Sequence, residues 1–425
     1  MISTYRLVSL ILYPLLIILI FLRKLINKED KDRYKEKIFS SSFKKNFNEK
    51  KKLIWFHAAS IGETLSIFPL IEKINNFNKN IDFLITTVTL SSAELLRERL
   101  VKYDNITHRF FPLDTQNLTG KFLDGWKPNL ICFVDSEIWP NFLFQIKKKK
   151  IPLTLINGRI TKKTLRRWCW FPTFAEKVFN NFDLCLPCSK DSRDNLKILK
   201  VKKISYFGNI KFTVKAKKES LDEANIKILD TFKVWCAAST HDGEESLVVK
   251  THKEIRKKYN NVLSIIIPRH INRVPHIKSL IIKSNLDFQI LNEGDIITGN
   301  KEVLIINSFG VLFKYFSYCK NIFIGKSLIK KLRAVGGQNP IEAAKLNCKV
   351  YFGPYVSNFQ EVYDFLKANN MAEQISDEYD LSNKIIKNFE SSKNIDNGNI
   401  DLLNNYGDKI LQHTIMELNK LVDIK

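Results

Sequence analysis

Short apolar runs alternate with amphipathic helical patterns in the first half of the chain. Four apolar runs each predict a β-strand, at residues 53–57, 82–86, 130–134 and 152–156. A helix is predicted over residues 64–75, where apolar residues recur at helical spacing at Leu65, Phe68, Ile71 and Ile74. A second helix is predicted over 91–101. This alternation favours a parallel sheet that is covered by helices on both faces.

The same alternation begins again near residue 218. Strands are predicted at 234–238, 262–267 and 321–324, one helix at 243–259, and another after Pro340. The polar stretch 215–225 is the predicted linker. The pattern therefore predicts four segments, which are an apolar N-terminal segment (1–28), a first α/β domain (29–217), a second α/β domain (218–390) and a helical tail (391–425).

The N-terminal segment contains an unbroken apolar run at residues 7–22. Cations flank this run at Arg6, Arg23, Lys24 and Lys28. As a helix the run is about 24 Å long, which is short of the ~30 Å hydrocarbon core of a bilayer, and snorkelling cations close that gap. A cleaved signal peptide is the alternative, but residues 21–28 offer no small-residue cleavage site. The positive charges that follow the run predict a single N-terminal anchor with the rest of the chain in the cytoplasm.

The composition is that of an ordinary globular protein with a strong excess of positive charge. The 425 residues include 68 Lys and Arg and 44 Asp and Glu, for a formal net charge of +24. This composition excludes a disordered, collagen-like or polytopic membrane protein. The excess of lysine is explained either by a lysine-biased proteome or by an anionic partner, such as a membrane surface or a phosphorylated substrate. Nucleic-acid binding is not favoured, because no recognisable basic and aromatic module is present.

The seven cysteines are irregularly spaced, which predicts reduced thiols rather than a disulfide framework. Cys185 and Cys188 form a C-x-x-C pair, but no second pair accompanies it. The pair therefore predicts two buried cysteines at the end of a strand, and neither a zinc site nor a redox site.

Three predicted strand ends carry polar residues, and ligands of open parallel sheets bind at such ends. Glu63 follows the first strand, where Ser60 and Glu63 match a helix capping box with the carboxylate bonded to the Ser60 N–H. The functional alternative for Glu63 is a general base with a raised pKa. Asp135 and Glu137 follow the third strand, either as a weak metal-binding pair or as carboxylates that share one site with Glu63.

The remaining candidates are cationic or lie in a glycine-rich turn. Lys211 follows a predicted strand at 204–207, and Arg269 follows the strand that ends at Ile267. Either cation is a surface residue or a ligand for a phosphate or carboxylate. At residues 336–342 two glycines precede Asn339 as a helix N-cap, with Pro340 at the first helical position, which predicts a turn or an anion site at a helix start. Glu342 in that first turn is either a capping residue or an acceptor for ribose hydroxyls.

Taken in order, these motifs resemble the transferases of 3-deoxy-D-manno-octulosonic acid (Kdo), which add Kdo to the lipid A precursor. The H-A-x-S-x-G-E motif of that family matches residues 57–63. Eight further matches follow in the same order, at 112–114, 136–141, 157–159, 208–211, 238–244, 268–270, 336–342 and 358–359. The resemblance extends from the N-terminal anchor to about residue 370.

The resemblance implies a GT-B fold, in which an N-terminal acceptor domain and a C-terminal donor domain, both Rossmann-like, face a cleft. It implies an inverting transfer of Kdo from CMP-Kdo to the glucosamine 6-hydroxyl of the lipid A precursor, lipid IVA, at the cytoplasmic face of the inner membrane, with no cofactor and no metal. Glu63 matches the proton acceptor of the family, and Glu137 and Lys211 match residues that support the transition state. The CMP-binding segments of the family match Pro268, Arg269, Phe309, Gly310, Val311, Asn339, Pro340, Ile341 and Glu342.

Two positions depart from the family pattern. The third CMP-binding segment reads Met-Gly-Glu in the family and Phe309, Gly310 and Val311 here, which removes an acceptor. A Gly-Gly-Ser segment of the family is Gly325, Lys326 and Ser327 here. These departures leave two rivals, a GT-B transferase for another nucleotide sugar and a membrane-anchored protein that binds a CMP-sugar without turnover.

Overall fold

A computed structural model describes residues 1–43, 51–216, 218–391 and 398–424. The chain forms two compact units, of which the first combines Met1–Val214 with Tyr406–Lys425 and the second is Lys215–Asn405. Part of the polar linker predicted from the sequence therefore begins the second unit, and residue 217 lies outside the described residues. The predicted bounds of the four sequence segments stay predictions.

The first unit is built on six parallel strands. The strands are β1 Lys52–His57, β2 Ile81–Thr87, β3 Ile106–Phe110, β4 Leu130–Val134, β5 Leu153–Gly158 and β6 Leu184–Pro187, in the order β3-β2-β1-β4-β5-β6. The helices are α1 Ile2–Leu25, α2 Ile61–Phe77, α3 Leu90–Arg99, α4 Gln116–Trp126, α5 Pro140–Lys148, α6 Lys162–Cys169, α7 Pro172–Phe179 and α8 Lys190–Ile198. A Ser or Thr side chain caps the start of five of these helices, at Ser60, Thr89, Thr115, Thr161 and Ser189.

The second unit is built on seven parallel strands. The strands are β7 Lys233–Thr240, β8 Val262–Pro268, β9 Phe288–Leu291, β10 Val303–Ile306, β11 Asn321–Ile324, β12 Lys349–Phe352 and β13 Ala372–Gln374, in the order β13-β12-β11-β7-β8-β10-β9. The helices within it are α9 Glu223–Leu229, α10 Glu244–Arg256, α11 Val274–Lys283, α12 Leu312–Tyr318, α13 Ile341–Lys345, α14 Gln360–Ala368 and α15 Glu378–Glu390. The last helix, α16 Gly398–Asn419, begins in the second unit and continues into the first at Tyr406.

Both faces of the first sheet are buried, as expected when helices cover a parallel sheet. Side chains alternate along β1, so that Trp55 packs on one face with Phe122 and Phe133, whereas Ile54 and Phe56 pack on the other. The last turns of α16 belong to this second face, where Leu411, Ile415 and Leu418 join the core. The end of the helical tail, from Tyr406 onward, is therefore part of the first unit.

Seven of the eight strands that the sequence predicted are present, and the eighth, predicted at 204–207, is wrong. Only Ile204 pairs with the sheet, as an isolated bridge to Cys185. The following residues leave the sheet because Gly208 takes a positive φ of 115° and packs against Tyr406 of α16. The segment that leads to Lys211 is thus positioned by the C-terminal helix and not by a strand of its own.

Candidate functional site

Glu63 lies in the first turn of α2, directly beyond the carboxyl end of β1. Its carboxylate accepts hydrogen bonds from the Ala59 N–H at 2.7 Å and from the Ser60 hydroxyl at 2.9 Å. The Ser60 side chain accepts in turn from the Glu63 N–H at 3.5 Å. The expected capping box is present in altered form, because the carboxylate bonds to Ala59 and to the Ser60 hydroxyl instead of the Ser60 N–H. Capping and catalysis do not exclude each other here, because the cap holds the carboxylate at the sheet edge.

The surroundings of Glu63 disfavour its charged form. Burial raises the pKa of the Glu63 carboxyl, and the nearby charges of Asp135 and Glu137 raise it further. The hydrogen bonds from Ser60 and Ala59 offset part of this effect. A carboxyl with a raised pKa is a better proton acceptor near neutral pH than an ordinary one, because its conjugate acid is weaker.

Glu137 lies three residues beyond β4, and its pKa shifts in the opposite direction. Burial alone would raise the pKa of Glu137, but hydrogen bonds from His57 and Trp139 hold it below the usual range. The Trp139 Nε1–H donates to Glu137 Oε2 at 2.8 Å, and the His57 Nε2 lies 3.2 Å from the same oxygen. Two neighbouring carboxylates with opposite pKa shifts can serve different roles. Glu63 is suited to act as a base, and Glu137 is suited to stay negatively charged.

His57 is a site residue to which the sequence analysis assigned no separate role. The ring is fully buried at the end of β1 and stacks on Phe111, with ring centroids 3.7 Å apart. Its Nδ1 lies 3.0 Å from the Thr86 hydroxyl and 3.1 Å from the Thr86 carbonyl oxygen. A ring that carries a proton on Nε2 donates it to Glu137. The available signal was a histidine at the end of the strand that precedes Glu63.

Asp135 and Glu137 do not share a ligand position, although the sequence allowed a metal-binding pair. The Asp135 carboxylate pairs with the Arg159 Nε at 2.7 Å, and Asp135 itself takes a positive φ of 61°. Glu137 bonds instead to His57 and Trp139. Each carboxylate therefore has a protein partner of its own, and Arg159 of the loop after β5 is a second residue that the sequence left without a role.

Lys211 lies in a short 3-10 helix, Ile210–Thr213, at the same edge of the first sheet. Asn209 Oδ1 accepts from the Lys211 N–H at 3.0 Å, and Asn157 of β5 accepts from the Ile210 N–H at 3.0 Å. These bonds tie the Lys211 segment to the end of β5. The prediction that Lys211 follows a strand is therefore wrong, although its segment is hydrogen-bonded to the first sheet.

The C-x-x-C cysteines are buried at the end of β6, as the sequence predicted, and both are free thiols. Burial and the charge of Asp135 raise the pKa of the Cys188 thiol to about 11, although Arg159 and Lys211 lower it. Cys188 is therefore a protonated thiol at neutral pH and not a reactive thiolate. These charge effects also show that Asp135, Arg159 and Lys211 surround the same point of the sheet edge.

The carboxylates of the first unit lie at its topological switch point. The strand order reverses between β1 and β4, since β2 and β3 extend the sheet on one side and β5 and β6 on the other. Glu63 follows β1, and Glu137 follows β4. Ligands of open α/β sheets bind in the crevice at such a point, so this edge is the candidate site of the first unit.

The second unit has a switch point with positive charges. Its strand order reverses between β7 and β11. Four cationic or titratable residues follow strands around this point: His241 after β7, Arg269 and His270 after β8, and Lys326 after β11. Burial lowers the pKa of His241, and the charges of Lys326, His270 and Arg269 lower it further. The pKa of His270 is lowered by burial and by Arg269, Arg273 and Lys326. Mutual repulsion of this kind marks a place where an anion is stabilised.

Lys326 holds a backbone conformation that favours glycine. Its φ is 58°, in the left-handed region, which fits the glycine that the related family carries at this position. The preceding Gly325 has no space for a side chain, because a Cβ would lie 2.6 Å from the Ser239 carbonyl oxygen. The departure from the family pattern therefore keeps the local backbone and adds a cation to the switch point.

Glu244, to which the sequence analysis assigned no role, holds this loop in place. Its fully buried carboxylate accepts from the backbone N–H groups of His241, Lys326, Ser327 and Leu328 at 2.7–3.2 Å. Burial raises its pKa even though these four bonds lower it. Glu244 thus fixes the loops after β7 and β11 to each other.

The glycines of the 336–342 segment serve the fold of the loop itself. A Cβ on Gly336 would lie 2.1 Å from the Tyr355 carbonyl oxygen, and Gly337 has a φ of 92° against Val356. Asn339 accepts from the Ile341 N–H at 3.2 Å, and its amide donates to Glu342 at 3.4 Å. The glycines therefore permit a close approach to the chain's own backbone.

The helix that follows these glycines begins at Ile341, so Pro340 precedes it and is not its first residue. The N-cap predicted at Asn339 is thus one residue too early. The helix α13 has only five residues. A short helix sums few peptide dipoles, so the anion-site argument from the helix dipole is weaker than the sequence suggested.

The loop after β10 carries the remaining candidate residues. Phe309 is 63% exposed, Gly310 takes a φ of 78°, and Val311 is buried. The structure therefore groups the candidates into two sets: Glu63, Glu137 and Lys211 at the edge of the first sheet, and Pro268, Arg269, 309–311 and 339–342 beyond strands β8, β10 and β11 of the second.

Comparisons with known proteins agree on the fold. A structure of a putative UDP-N-acetylglucosamine 2-epimerase from Listeria monocytogenes matches with a TM-score of 0.58 and 11% identity, over 85% of this chain and 91% of its own. A glycosyltransferase from Rickettsia africae matches with a TM-score of 0.58 and 10% identity, over 88% of this chain and 99% of its own. The predicted fold class, two GT-B-type α/β domains with parallel sheets and an N-terminal apolar helix, is confirmed.

Sequence comparisons are more specific. The family model of 3-deoxy-D-manno-octulosonic-acid transferase (kdotransferase) matches residues 32–214. The 3-deoxy-D-manno-octulosonic acid transferase of Rickettsia bellii is 30% identical over 388 residues, which cover 91% of this chain and 90% of that protein. The transferase of the same name from Haemophilus influenzae is 25% identical over 376 residues, which cover 87% and 86% of the two chains. This chain belongs to the family of 3-deoxy-D-manno-octulosonic acid transferases, and it is a glycosyltransferase.

Proposed function

We propose that this chain transfers Kdo from CMP-Kdo to the glucosamine 6-hydroxyl of the lipid A precursor, lipid IVA, with inversion at the anomeric carbon. The observation that carries the proposal is the pair of opposite pKa shifts at the first switch point. Glu63 has a raised pKa and Glu137 has a lowered one, and both residues lie at the same edge of the first sheet. A family member with this pair has both a base for an alcohol and a negative charge for a developing cation.

The acceptor chemistry belongs to the first unit. Glu63 takes the proton of the acceptor hydroxyl while the hydroxyl oxygen forms a bond to the anomeric carbon of Kdo. The bond from that carbon to the phosphate oxygen breaks, and CMP leaves with the electron pair. Glu137 supports the oxocarbenium-like carbon, and Lys211 stabilises negative charge on the phosphate or on the Kdo carboxylate.

The donor chemistry belongs to the second unit. Arg269 offers a bidentate fork to the CMP phosphate. Pro268, residues 309–311 and residues 339–342 are the proposed contacts to the nucleotide. Lys326 adds a cation near Arg269, since both lower the pKa of His241 and His270. Because CMP leaves as an anion that is already charged, the proposed reaction needs neither a leaving-group acid nor a divalent metal.

The proposed location is the cytoplasmic face of the inner membrane. One described helix, α1, is long and apolar enough to cross a membrane, with a mean hydropathy of 2.3 over its best 18 residues. The lipid acceptor is a component of that membrane, so an anchored enzyme meets its substrate at the surface.

Mass spectrometry of the lipid product tests the proposal. Purified protein with CMP-Kdo and lipid IVA should add the mass of one or more Kdo residues, and excess UDP-sugars should not compete. A product that forms only with another nucleotide sugar would show that this sugar, and not CMP-Kdo, is the donor. CMP binding without any product would favour the non-catalytic rival that Val311 and Lys326 suggest.

A further inference from the structure

The helix α1 has two faces of unusual character. The residues that are shielded from solvent include Tyr5, Ser9, Tyr13, Ile17 and Ile20, which recur every three or four positions. They form one stripe along the helix, and its first three members carry hydroxyl groups. The stripe lies against the body of the first unit over four turns, a distance of about 22 Å.

Each hydroxyl of the stripe has a partner in the body of the first unit. The Tyr5 hydroxyl donates to Asp114 Oδ2 at 2.8 Å, and the Asn141 side-chain amide donates to the Ser9 hydroxyl at 3.2 Å. The Tyr13 hydroxyl donates to the Ile38 carbonyl oxygen at 2.6 Å. These contacts are specific polar bonds and not only a hydrophobic fit.

The far end of the helix is held as well. Ile17 and Ile20 pack with Tyr34, Ile38 and Leu113 in a small apolar cluster. Beyond them, Arg23 pairs at 2.7 Å with Glu29, a buried carboxylate that also pairs with Lys37. The helix is therefore fixed to the body of the first unit from its second turn to its last.

The opposite face of α1 is apolar and exposed. Twelve large hydrophobic side chains of residues 7–26 are at least 43% exposed: Leu7, Val8, Leu10, Ile11, Leu12, Leu15, Ile18, Leu19, Phe21, Leu22, Leu25 and Ile26. An ordinary surface helix turns its apolar face to the protein and its polar face to water. In α1 the exposed face is instead the more apolar one, and cations flank it at Arg6, Arg23 and Lys24. A lipid surface is the partner that such a face and such charges fit.

A helix that spans a bilayer needs apolar surroundings on all sides for about 20 residues. The docked face of α1 instead contacts Asp114, Asn141 and the Glu29 ion pairs, which belong to the α/β body of the first unit. We propose that α1 does not span the membrane but lies along its surface, fixed to the first unit by the Tyr5, Ser9 and Tyr13 stripe, with the exposed face inserted into one leaflet. This inference deepens the membrane location of the proposed function and rests on it.

The docking contacts lead towards the candidate site. Asp114, which accepts from Tyr5, also accepts from the N–H groups of Asn141 at 3.0 Å and Phe142 at 2.9 Å. These are the first residues of α5, and Trp139, which bonds to Glu137, lies immediately before that helix. A surface-lying α1 therefore sets the orientation of the Glu137 edge towards the lipid that carries the acceptor.

The topology of the N-terminus tests this inference on the full chain. An epitope is placed before Met1, and protease is added to sealed inside-out membrane vesicles. A surface-lying helix leaves the epitope and the α/β units on the same side, so both are digested together. A spanning helix places the epitope in the vesicle lumen, and its protection from protease would overturn the inference. A product of correct mass with a protected epitope would leave the proposed function intact and remove only this inference.

Variants of the two faces give a second readout. Leu10→Asp with Ile11→Asp charges the exposed face and should lower the binding of purified protein to phosphatidylethanolamine and phosphatidylglycerol vesicles by about 10-fold or more. The matched pair Tyr5→Phe with Tyr13→Phe keeps the exposed face and should keep the bound fraction, while α1 becomes more sensitive to protease. Equal vesicle binding by both pairs of variants would contradict a role of the exposed face in lipid binding. So would a wild-type protein that is dimeric without detergent while the Leu10→Asp, Ile11→Asp variant is monomeric, because the exposed face would then bind a second copy of the chain.

Discussion

The two sheets use the same architecture with opposite charges at their switch points. In the first unit the loops after β1 and β4 bring Glu63, Asp135 and Glu137 together, and the carboxylates raise the pKa of Glu63. In the second unit the loops after β7, β8 and β11 bring His241, Arg269 and Lys326 together, and the cations lower the pKa of His241. Strand order selects the place for a site, whereas the residues at the strand ends decide whether that place handles protons or anions.

If the first unit handles protons, replacing its proposed base, Glu63, should have the largest effect on turnover. Glu63→Gln keeps the size of the side chain, and Gln can act at the same position of a capping box, so the free energy of unfolding should change by about 1 kcal/mol or less. Because Gln accepts no proton, turnover should fall about 10²–10⁴-fold, while the Kd for CMP stays nearly unchanged. Kinetics with lipid IVA and CMP-Kdo measure this. Glu72→Gln, on the same helix but bonded to Tyr103, is the matched control, and equal losses in both variants would remove Glu63 from the chemistry.

Loss of a cation at the switch point of the second unit should change KM more than kcat. Arg269→Ala removes a charged fork for the phosphate, so the KM for CMP-Kdo should rise about 10-fold or more with a smaller change in kcat. Lys257→Ala is the control, since Lys257 pairs on the surface with Glu254 of the same unit. Steady-state kinetics with varied donor separate KM from kcat. A loss confined to kcat would contradict the assignment of Arg269 to the donor.

His57 sharpens the comparison within the first unit. His57→Phe keeps an aromatic ring against Phe111 but removes the hydrogen bond to Glu137, so kcat should fall about 10-fold. The pKa of Glu137 should then rise, because that bond is one cause of its lowered value, and a second acid limb, from Glu137, should appear in the pH profile beside that of Glu63. A structural role alone would lower the Tm and leave the pH profile in place.

The smallest expected effect concerns Lys326. Lys326→Gly should relieve the left-handed backbone and increase the free energy of unfolding by about 1 kcal/mol, while the KM for CMP-Kdo rises a few-fold. Lys200→Gly is a matched control, because Lys200 also has a positive φ, 60°, but lies outside both switch points. Chemical denaturation and donor kinetics together check the pair. A gain in stability without any change in KM would mean that Lys326 does not act on the donor.

The sequence predicted the strands better than the contacts between them. Continuous apolar runs predicted β1, β4 and β8 because fully buried parallel strands have no polar alternation. The strand β3 was missed, since its buried and half-buried residues alternate and no apolar run marks it. The strand predicted at 204–207 was wrong because Gly208 and Tyr406, which are far apart in sequence, determine the path of that segment.

The candidate site could be predicted only in part, for the same physical reason. Glu63 and Glu137 follow strands, so their position at a sheet edge could be inferred from local sequence. The hydrogen bond from His57 to Glu137 joins residues 80 positions apart, and Glu244 reaches Lys326 over 82 positions. Such contacts depend on strand order, which the local pattern does not contain. The docking of α1 on Asp114 belongs to the same class.

The pH dependence of single-turnover Kdo transfer tests the central role of Glu63 most directly. A base acts in its charged form, so the rate should fall as the pH falls through the pKa of Glu63. Since burial and the neighbouring carboxylates raise that pKa above the usual range of about 4.3, the midpoint of the fall should lie above this value. The residual rate of Glu63→Gln should lack this limb. An identical acid limb in the wild-type chain and in Glu63→Gln would contradict the account, and the base would then have to be another group.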